Sequence, residues 1–389
     1  MRKGSGQHRG LQEFAYRAAR LLAGPYFTWR FQAEWGKQPD ISPPYVVVAN
    51  HVTELVFYFT GMLFRTPMGF VVGQGLLQNP FMNWLLVKGF GCIGKQKGAT
   101  DARTTLNMLR RLREGRNVCL FVEGNTTFDG RTGPFNPSTG GVLKAVGAGL
   151  VTCRIEGAYF AMPRWGRGIR RGRTAIRVVN TYSREELAGM TAEEVNARLA
   201  QDLYEDAYAR QTGAPVAYKG RRTAEGIEHA LYHCPGCGSF NSIRGAGDEV
   251  LCTQCGMTSA YTQYGMLEGG FPFATIQQWT DWQKGQMVAR LQADPKQALA
   301  EDPYQELLLQ DEEGELRPLA EGLMQMSGLE LRVGGFSTPI DKISGFEIFR
   351  KNTLQFTLAD GRHLQTGRLL GFNALKYRDL YNIVKGKEV

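Results

Sequence analysis

Two Cys-x2-Cys pairs, Cys234/Cys237 and Cys252/Cys255, stand fourteen residues apart in the second half of a 389-residue chain. Each pair closes a tight knuckle. The polar stretch between them carries Gly245 and Gly247 at a turn, so the knuckles should face each other across a hairpin. Four thiolates at this spacing suit tetrahedral Zn²⁺ and leave no open coordination position, which makes the expected metal structural. His233 adjoins Cys234 and is a conceivable substitute ligand, with a place beside the ligands or on the surface as the plainer reading. Cys92, Cys119 and Cys153 lie in apolar surroundings and read as small core residues. Seven cysteines, an odd number, do not suit a secreted disulfide framework.

The length allows roughly two to three domains at about 150 residues each. From residue 45 to about 180, short apolar runs alternate with helical stretches. YVVVAN (45–50), FVVGQ (70–74), NVCLFVEG (117–124) and LVTCRIEGAY (150–159) read as strands. Residues 101–114 read as a helix with Asp101 as N-cap and Gly115 at its end. Residues 191–212 read as a second helix, with Thr191 and Glu194 forming a capping box. Strand, crossover helix and strand together imply an α/β domain with a central parallel or mixed sheet. Residues 11–23 place Leu11, Phe14, Ala18, Leu21 and Leu22 at helical spacing, for packing on the domain or for lying on a membrane surface.

Past the cysteines, residues 271–310 are helical in pattern, with Trp279 and Trp282 suited to packing. Residues 328–370 switch to alternating runs with an Asp360-Gly361 hairpin turn, and 372–385 read as a closing helix. The resulting division is 1–220 for the α/β domain, 228–265 for a zinc ribbon, 266–327 for a helical connector and 328–389 for a small β-rich module. In pattern, that last module resembles a pleckstrin-homology-type domain.

Asn50-His51 follows the first buried strand, and Phe121-Val122-Glu123-Gly124-Asn125-Thr126 ends a later one. Between them lies the basic glycine loop Gly91-Cys92-Ile93-Gly94-Lys95-Gln96-Lys97. This order resembles the glycerolipid acyltransferases, the lysophosphatidic acid (1-acylglycerol-3-phosphate) acyltransferase family, over about residues 40–210. It is most similar to a bacterial subgroup in which a zinc ribbon follows that domain. The resemblance implies that His51 takes the acceptor hydroxyl's proton, with acyl-CoA or acyl-carrier protein as donor and a lysophospholipid as acceptor. It implies further that Asn50, Lys97, Glu123, Gly124 and Asn125 shape the substrate site, with Lys97 holding phosphate.

The chain departs from the family pattern at several positions. Val56 stands where the family has the Asp that orients the His, which leaves Glu54 as the nearest carboxylate and candidate substitute. Thr126 stands where it has Arg, Lys97 where it has Arg, Val122 and Cys153 where it has Pro. A paralogue that kept the fold as a lipid- or membrane-binding scaffold is therefore the alternative reading.

Lys+Arg exceed Asp+Glu by 46 − 37 = 9, which favours an anionic partner. Arg164, Arg167, Arg170, Arg171, Arg173 and Arg177 form a stretch without acids, and Trp165 beside them is an interfacial type of residue, so an anionic membrane surface is expected. No basic–aromatic interleaving points to nucleic acid. Without an apolar run of about 18 residues or a signal-peptide core, the expected location is cytoplasmic and peripheral to the membrane.

Overall fold

The computed structural model describes residues 9–77, 79–95, 102–311, 314–367, 369 and 371–387. Lys97 and Asp101 lie outside these residues. The chain divides into two compact units: Met1–Arg164 with Gly168–Gly220, and Trp165–Arg167 with Arg221–Val389.

In the first unit, helices α1 (Arg9–Leu22) and α2 (Gly24–Phe31) precede seven strands. These are β1 (Ala33–Trp35), β2 (Tyr45–Ala49), β3 (Met68–Gly73), β4 (Ile93–Lys95), β5 (Asn117–Leu120), β6 (Gly149–Glu156) and β7 (Thr174–Tyr182). Among and after them run α3 (Val56–Leu63), α4 (Pro80–Asn83), α5 (Ala102–Arg113), α6 (Thr139–Val146), α7 (Ala158–Ala161), α8 (Arg184–Gly189), α9 (Ala192–Leu203) and α10 (Ala207–Gly213).

The strands form one mixed sheet in the order β1-β7-β6-β2-β5-β3-β4. β2 pairs in parallel with both β5 and β6, whereas β6 and β7 are antiparallel. All five residues of β2 are buried, which explains its unbroken apolar run: a parallel strand covered on both faces needs no polar alternation. Val46, Val48, Val118 and Leu150 join a core with α5, α6 and α9 on one face. Cys119 points to the other face, where its thiol bonds Thr60 of α3. Each buried valine contributes about 1.5–3 kcal/mol.

The expected 191–212 helix is two helices. Glu205 N–H donates to Thr132 Oγ1 at 2.9 Å instead of continuing the helix, and Asp206 caps α10 through Ala209 N. The Thr191–Glu194 capping box is formed.

α1 packs inward through residues that lie off its apolar stripe. Tyr16 O–H donates toward Gly61 O and Phe64 O, and Arg20 donates to the carbonyls of Gly61, Met62 and Phe64 at 2.5–2.8 Å. A cation there caps the negative end of α3. Leu11, Phe14, Leu21 and Leu22 remain exposed.

The arginine-rich segment does not form a free basic surface. Arg164 and Arg170 are buried, Arg173 pairs with Glu34 at 2.6 Å, Arg177 reaches Glu34 and Glu156, and Arg171 lies over Trp29. Trp165 is 0% exposed, with its ring against Tyr261 in the second unit, so it is a core residue and cannot anchor in a membrane interface. Glu34, distant in sequence, and Glu156 thus pair with two arginines of a stretch that itself contains no acid.

The second unit begins with an antiparallel sheet of β8 (Ile243–Ala246), β9 (Glu249–Cys252), β10 (Thr258–Tyr261) and β11 (Leu267–Gly269), followed by α11 (Ile276–Ala293). The helical pattern expected to run to residue 310 stops at Ala293. A strand, β12 (Ala300–Gln310), replaces it and pairs with β13 (Leu316–Met326). Next come β14 (Glu330–Val333), β15 (Phe336–Pro339), β16 (Ile343–Phe349), β17 (Thr353–Leu358), β18 (His363–Thr366) and α12 (Ala374–Val384). The sheet order is β15-β14-β13-β12-β18-β17-β16, and α12 lies against β16, β12 and β17.

Lys376 of α12 is 0% exposed. Its Nζ donates to Asp302 Oδ2 at 2.7 Å, Asn241 Oδ1 at 2.9 Å and Glu301 O at 2.6 Å. Desolvation pushes its pKa down to about 8 despite Asp302. Among the described residues, no helix is long and apolar enough to cross a membrane.

Candidate active site and metal centre

Register brings two motifs together. Val48 of β2 pairs with Leu120 of β5 in parallel, and His51 and Glu123 each lie three residues beyond that pair. They therefore emerge side by side at the carboxyl edge of the sheet, where open α/β sheets place ligands. Glu123 Oε1 accepts the His51 N–H at 2.6 Å, and Oε2 accepts the Gly133 N–H at 2.6 Å. Thr127 N–H donates to His51 O at 3.2 Å. The His51 backbone is thus held at both ends by the loop after β5. Its ring lies 5.1 Å from that of Phe121.

Glu123 has a pKa pushed up to about 7 by desolvation, against the lowering effect of its two backbone donors. Gly124, at φ +72°, makes the turn that returns the chain toward His51. Asn50 is fully buried, and its side chain bonds the Ile155 backbone twice, at 3.0 Å and 2.7 Å. It extends the β2–β6 pairing by one rung and fixes where His51 leaves the strand.

Glu54 is exposed, in a turn that precedes α3. The helix starts only at Val56, so the two acidic and imidazole side chains do not share a helical face. Val56 is 2% exposed. Lys95 ends β4, which pairs with β3 at Gly73↔Lys95 and lies three strands from β2 in the sheet order, about 14 Å away at 4.8 Å per strand. Arg131, the nearest arginine downstream of the loop, lies 3.8 Å from both Asp129 and Asp206.

Sequence reasoning missed Arg164. Its guanidinium donates to Thr126 O at 2.9 Å and lies over the Phe128 ring at 4.5 Å. Nothing in the local sequence separates this arginine from its neighbours in the basic stretch.

Residues 32–156 match the family model described as Acyltransferase. The chloroplastic 1-acyl-sn-glycerol-3-phosphate acyltransferase BAT2 of Brassica napus is 27% identical over 135 residues, 34% of this chain and 38% of that protein. The chain is similar to the acyltransferases over this segment. It spans about 38% of the length of this curated relative. The crystal structure of the 1-acyl-sn-glycerophosphate (LPA) acyltransferase PlsC from Thermotoga maritima is similar at 16% identity and a TM-score of 0.42, over 51% of this chain and 80% of that one. The acyltransferase segment contains His51, Glu123 and the departures at Val56 and Thr126.

The cysteines form a second centre. The four Sγ atoms all lie within 4.8 Å of one another. Cys234–Cys255 and Cys237–Cys252 are each 3.8 Å apart. A disulfide needs about 2.05 Å, whereas a tetrahedron with metal–sulfur bonds of about 2.3 Å needs about 3.8 Å between sulfurs. The donor set therefore fits a closed tetrathiolate metal site. Ser239 bonds Cys237 Sγ at 2.9 Å and lowers that thiol's pKa from its ordinary value, toward the ligating thiolate. His233 stands outside the cluster: it is buried, with Nε2 3.1 Å from Gly238 O and its ring stacked on Phe240 at 4.3 Å. Trp279 Nε1 donates to His233 O at 2.9 Å, so this Trp packs the ribbon.

Proposed function

We propose that the protein transfers a fatty acyl group from acyl-CoA or acyl-carrier protein to the free hydroxyl of a lysophospholipid such as 1-acylglycerol-3-phosphate. The observation that carries this reading is the convergence of the His51 turn and the Glu123 loop at the sheet's carboxyl edge, in register. His51 takes the hydroxyl proton as the oxygen attacks the thioester carbonyl. When the tetrahedral adduct collapses, the C–S bond breaks and the departing thiol takes the proton from the imidazolium. Lys97, Lys95 and the Gly124-Asn125 turn serve the acceptor's phosphate. Glu123 and Asn50 hold the His51 backbone. Glu54 is the carboxylate left to assist the imidazole from solvent.

Cys234, Cys237, Cys252 and Cys255 would hold structural Zn²⁺, which supplies folding energy and no chemistry. The exposed Leu11, Phe14, Leu21 and Leu22 of α1 support peripheral attachment at the cytoplasmic membrane face.

The test is acyl transfer by the purified protein to lysophosphatidic acid from a panel of acyl-CoA and acyl-carrier-protein donors, beside His51→Ala. Turnover that disappears in the variant is expected. Equal rates in both proteins would refute the assignment of the base.

A second reading, an impaired paralogue that binds lipid as a scaffold, is favoured by Val56, a side chain that accepts no hydrogen bond where the family has a carboxylate. Losing that carboxylate in a related triad costs about 10⁴-fold in turnover. A large gain in transfer on Val56→Asp, with the fold kept, would support it.

A further inference from the structure

Thr126 removes the arginine from the loop after β5, yet a guanidinium reaches that loop from elsewhere. Arg164 follows α7 in the chain, 38 residues beyond Thr126, and is 5% exposed. It donates to Thr126 O at 2.9 Å and approaches Asn125 Oδ1 at 3.4 Å, while its plane covers Phe128. Tyr159, from the same segment, donates its O–H to Phe128 O at 3.1 Å. The next residue along from Thr126 is Thr127, whose N–H holds the His51 carbonyl.

We infer that Arg164 is a positioning residue for His51, acting through the 125–128 loop in place of the arginine missing at 126. This rests on the acyl-transfer reading of the same site. The chain of contacts is short: guanidinium to Thr126 carbonyl, peptide unit to Thr127 N–H, Thr127 N–H to His51 carbonyl. Its partners include a main-chain carbonyl, an amide side chain and an aromatic face. A planar cation with several donors suits that set, whereas a lysine ammonium would reach the carbonyl and lose the stacking. This geometry makes Arg164 a support beneath the loop rather than a grip on the acceptor's phosphate.

The experiment compares full-length wild type, Arg164→Met and Arg164→Lys. Transfer is measured with long-chain acyl-CoA to two acceptors, lysophosphatidic acid and uncharged monoacylglycerol. Backbone hydrogen exchange is followed by mass spectrometry over residues 49–53. Loss of one charge-assisted bond should slow kcat for Arg164→Met by about ten- to a hundredfold on both acceptors. KM for lysophosphatidic acid should stay near wild type, exchange over 49–53 should speed up, and Arg164→Lys should recover part of both.

A rise in KM confined to lysophosphatidic acid would overturn the inference, because Arg164 would then be holding phosphate. Unchanged exchange over 49–53 would also overturn it. If wild type itself transfers nothing, the functional reading falls, and faster exchange over 49–53 still upholds the positioning role. If Arg164→Met does not fold, Arg164→Lys decides by the same criteria.

Discussion

Glu123→Gln separates what the carboxylate does for the site from what it does to the fold. The group rises from an ordinary pKa of 4.5 to about 7 because it is desolvated, and its two acceptor bonds recover only part of the loss. Between pH 4.5 and 7 the folded protein therefore holds a proton that the unfolded chain has released. This contribution to stability is full below pH 4.5 and is lost as pH rises through 7. For a shift of that size, the loss between pH 5 and pH 8 is about 2.5 kcal/mol, at about 1.4 kcal/mol per pKa unit. Gln carries no such charge, so its variant should lack this component of pH dependence.

The assay is urea unfolding at the two pH values, read by dithiodipyridine labelling of Cys119 and Cys153, which are buried in the first unit. Peptide mapping distinguishes these thiols from the ribbon cysteines. Wild type should lose about 2.5 kcal/mol more than Glu123→Gln on going from pH 5 to pH 8. At pH 8 the variant should be nearly as stable as wild type, because relief from the buried charge offsets the lost charge-assisted bond. Its transfer activity should nevertheless fall: a single amide oxygen faces both the His51 and Gly133 N–H donors, and its NH₂ opposes one of them. Parallel pH dependences in the two proteins would refute the argument that Glu123 is a desolvated clamp.

Three other outcomes are expected. Lys376→Met leaves Asp302 buried without its cation, which costs about 3–5 kcal/mol; thermal melting of the second unit measures it, and Lys376→Met with Asp302→Leu should recover most of the loss. A strong zinc chelator should strip one metal per chain, detected by a colorimetric zinc assay, and speed hydrogen exchange over residues 234–256; absence of bound metal after expression in zinc-supplemented medium would refute the tetrathiolate site. Leu21→Glu with Leu22→Glu should reduce sedimentation with phospholipid vesicles without altering the circular dichroism, since both residues are exposed.

Features set by local pattern were legible before the structure. The apolar runs gave β2, β5 and β6, and with them the two strand ends that carry His51 and Glu123. The cysteine spacing sufficed to bring four sulfurs together. Where a residue's role depends on distant partners, the sequence misled. The basic stretch read as a membrane surface because Glu34, which binds Arg173 and Arg177, lies 139 residues before Arg173. Arg164 carried no local sign of burial under the 125–128 loop. Residues 300–310 read as helical, whereas the strand they form has a bulge between Asp302 and Gln305, next to Pro303, where the buried positions step by three instead of two. Glu123 read as a substrate group, whereas both its oxygens face main-chain donors.

The bond from Lys376 to Asn241 spans 135 residues. Asn241 lies in the loop between the cysteine knuckles, so the ribbon leaves the ribosome long before its cation exists. At about 5–20 residues per second, the wait is roughly 7–27 s. During that interval Asp302, once made, has no ammonium beside it, and the β12–β13 hairpin has no helix to cover it. If the cysteines take a metal, they are all made before this interval begins or early within it, whereas α12, which lies against β16, β12 and β17, is made only at its end. Synthesis thus supplies the parts of the second unit in two stages, and a nascent chain halted before Lys376 would present the ribbon segment beside a sheet without its helix.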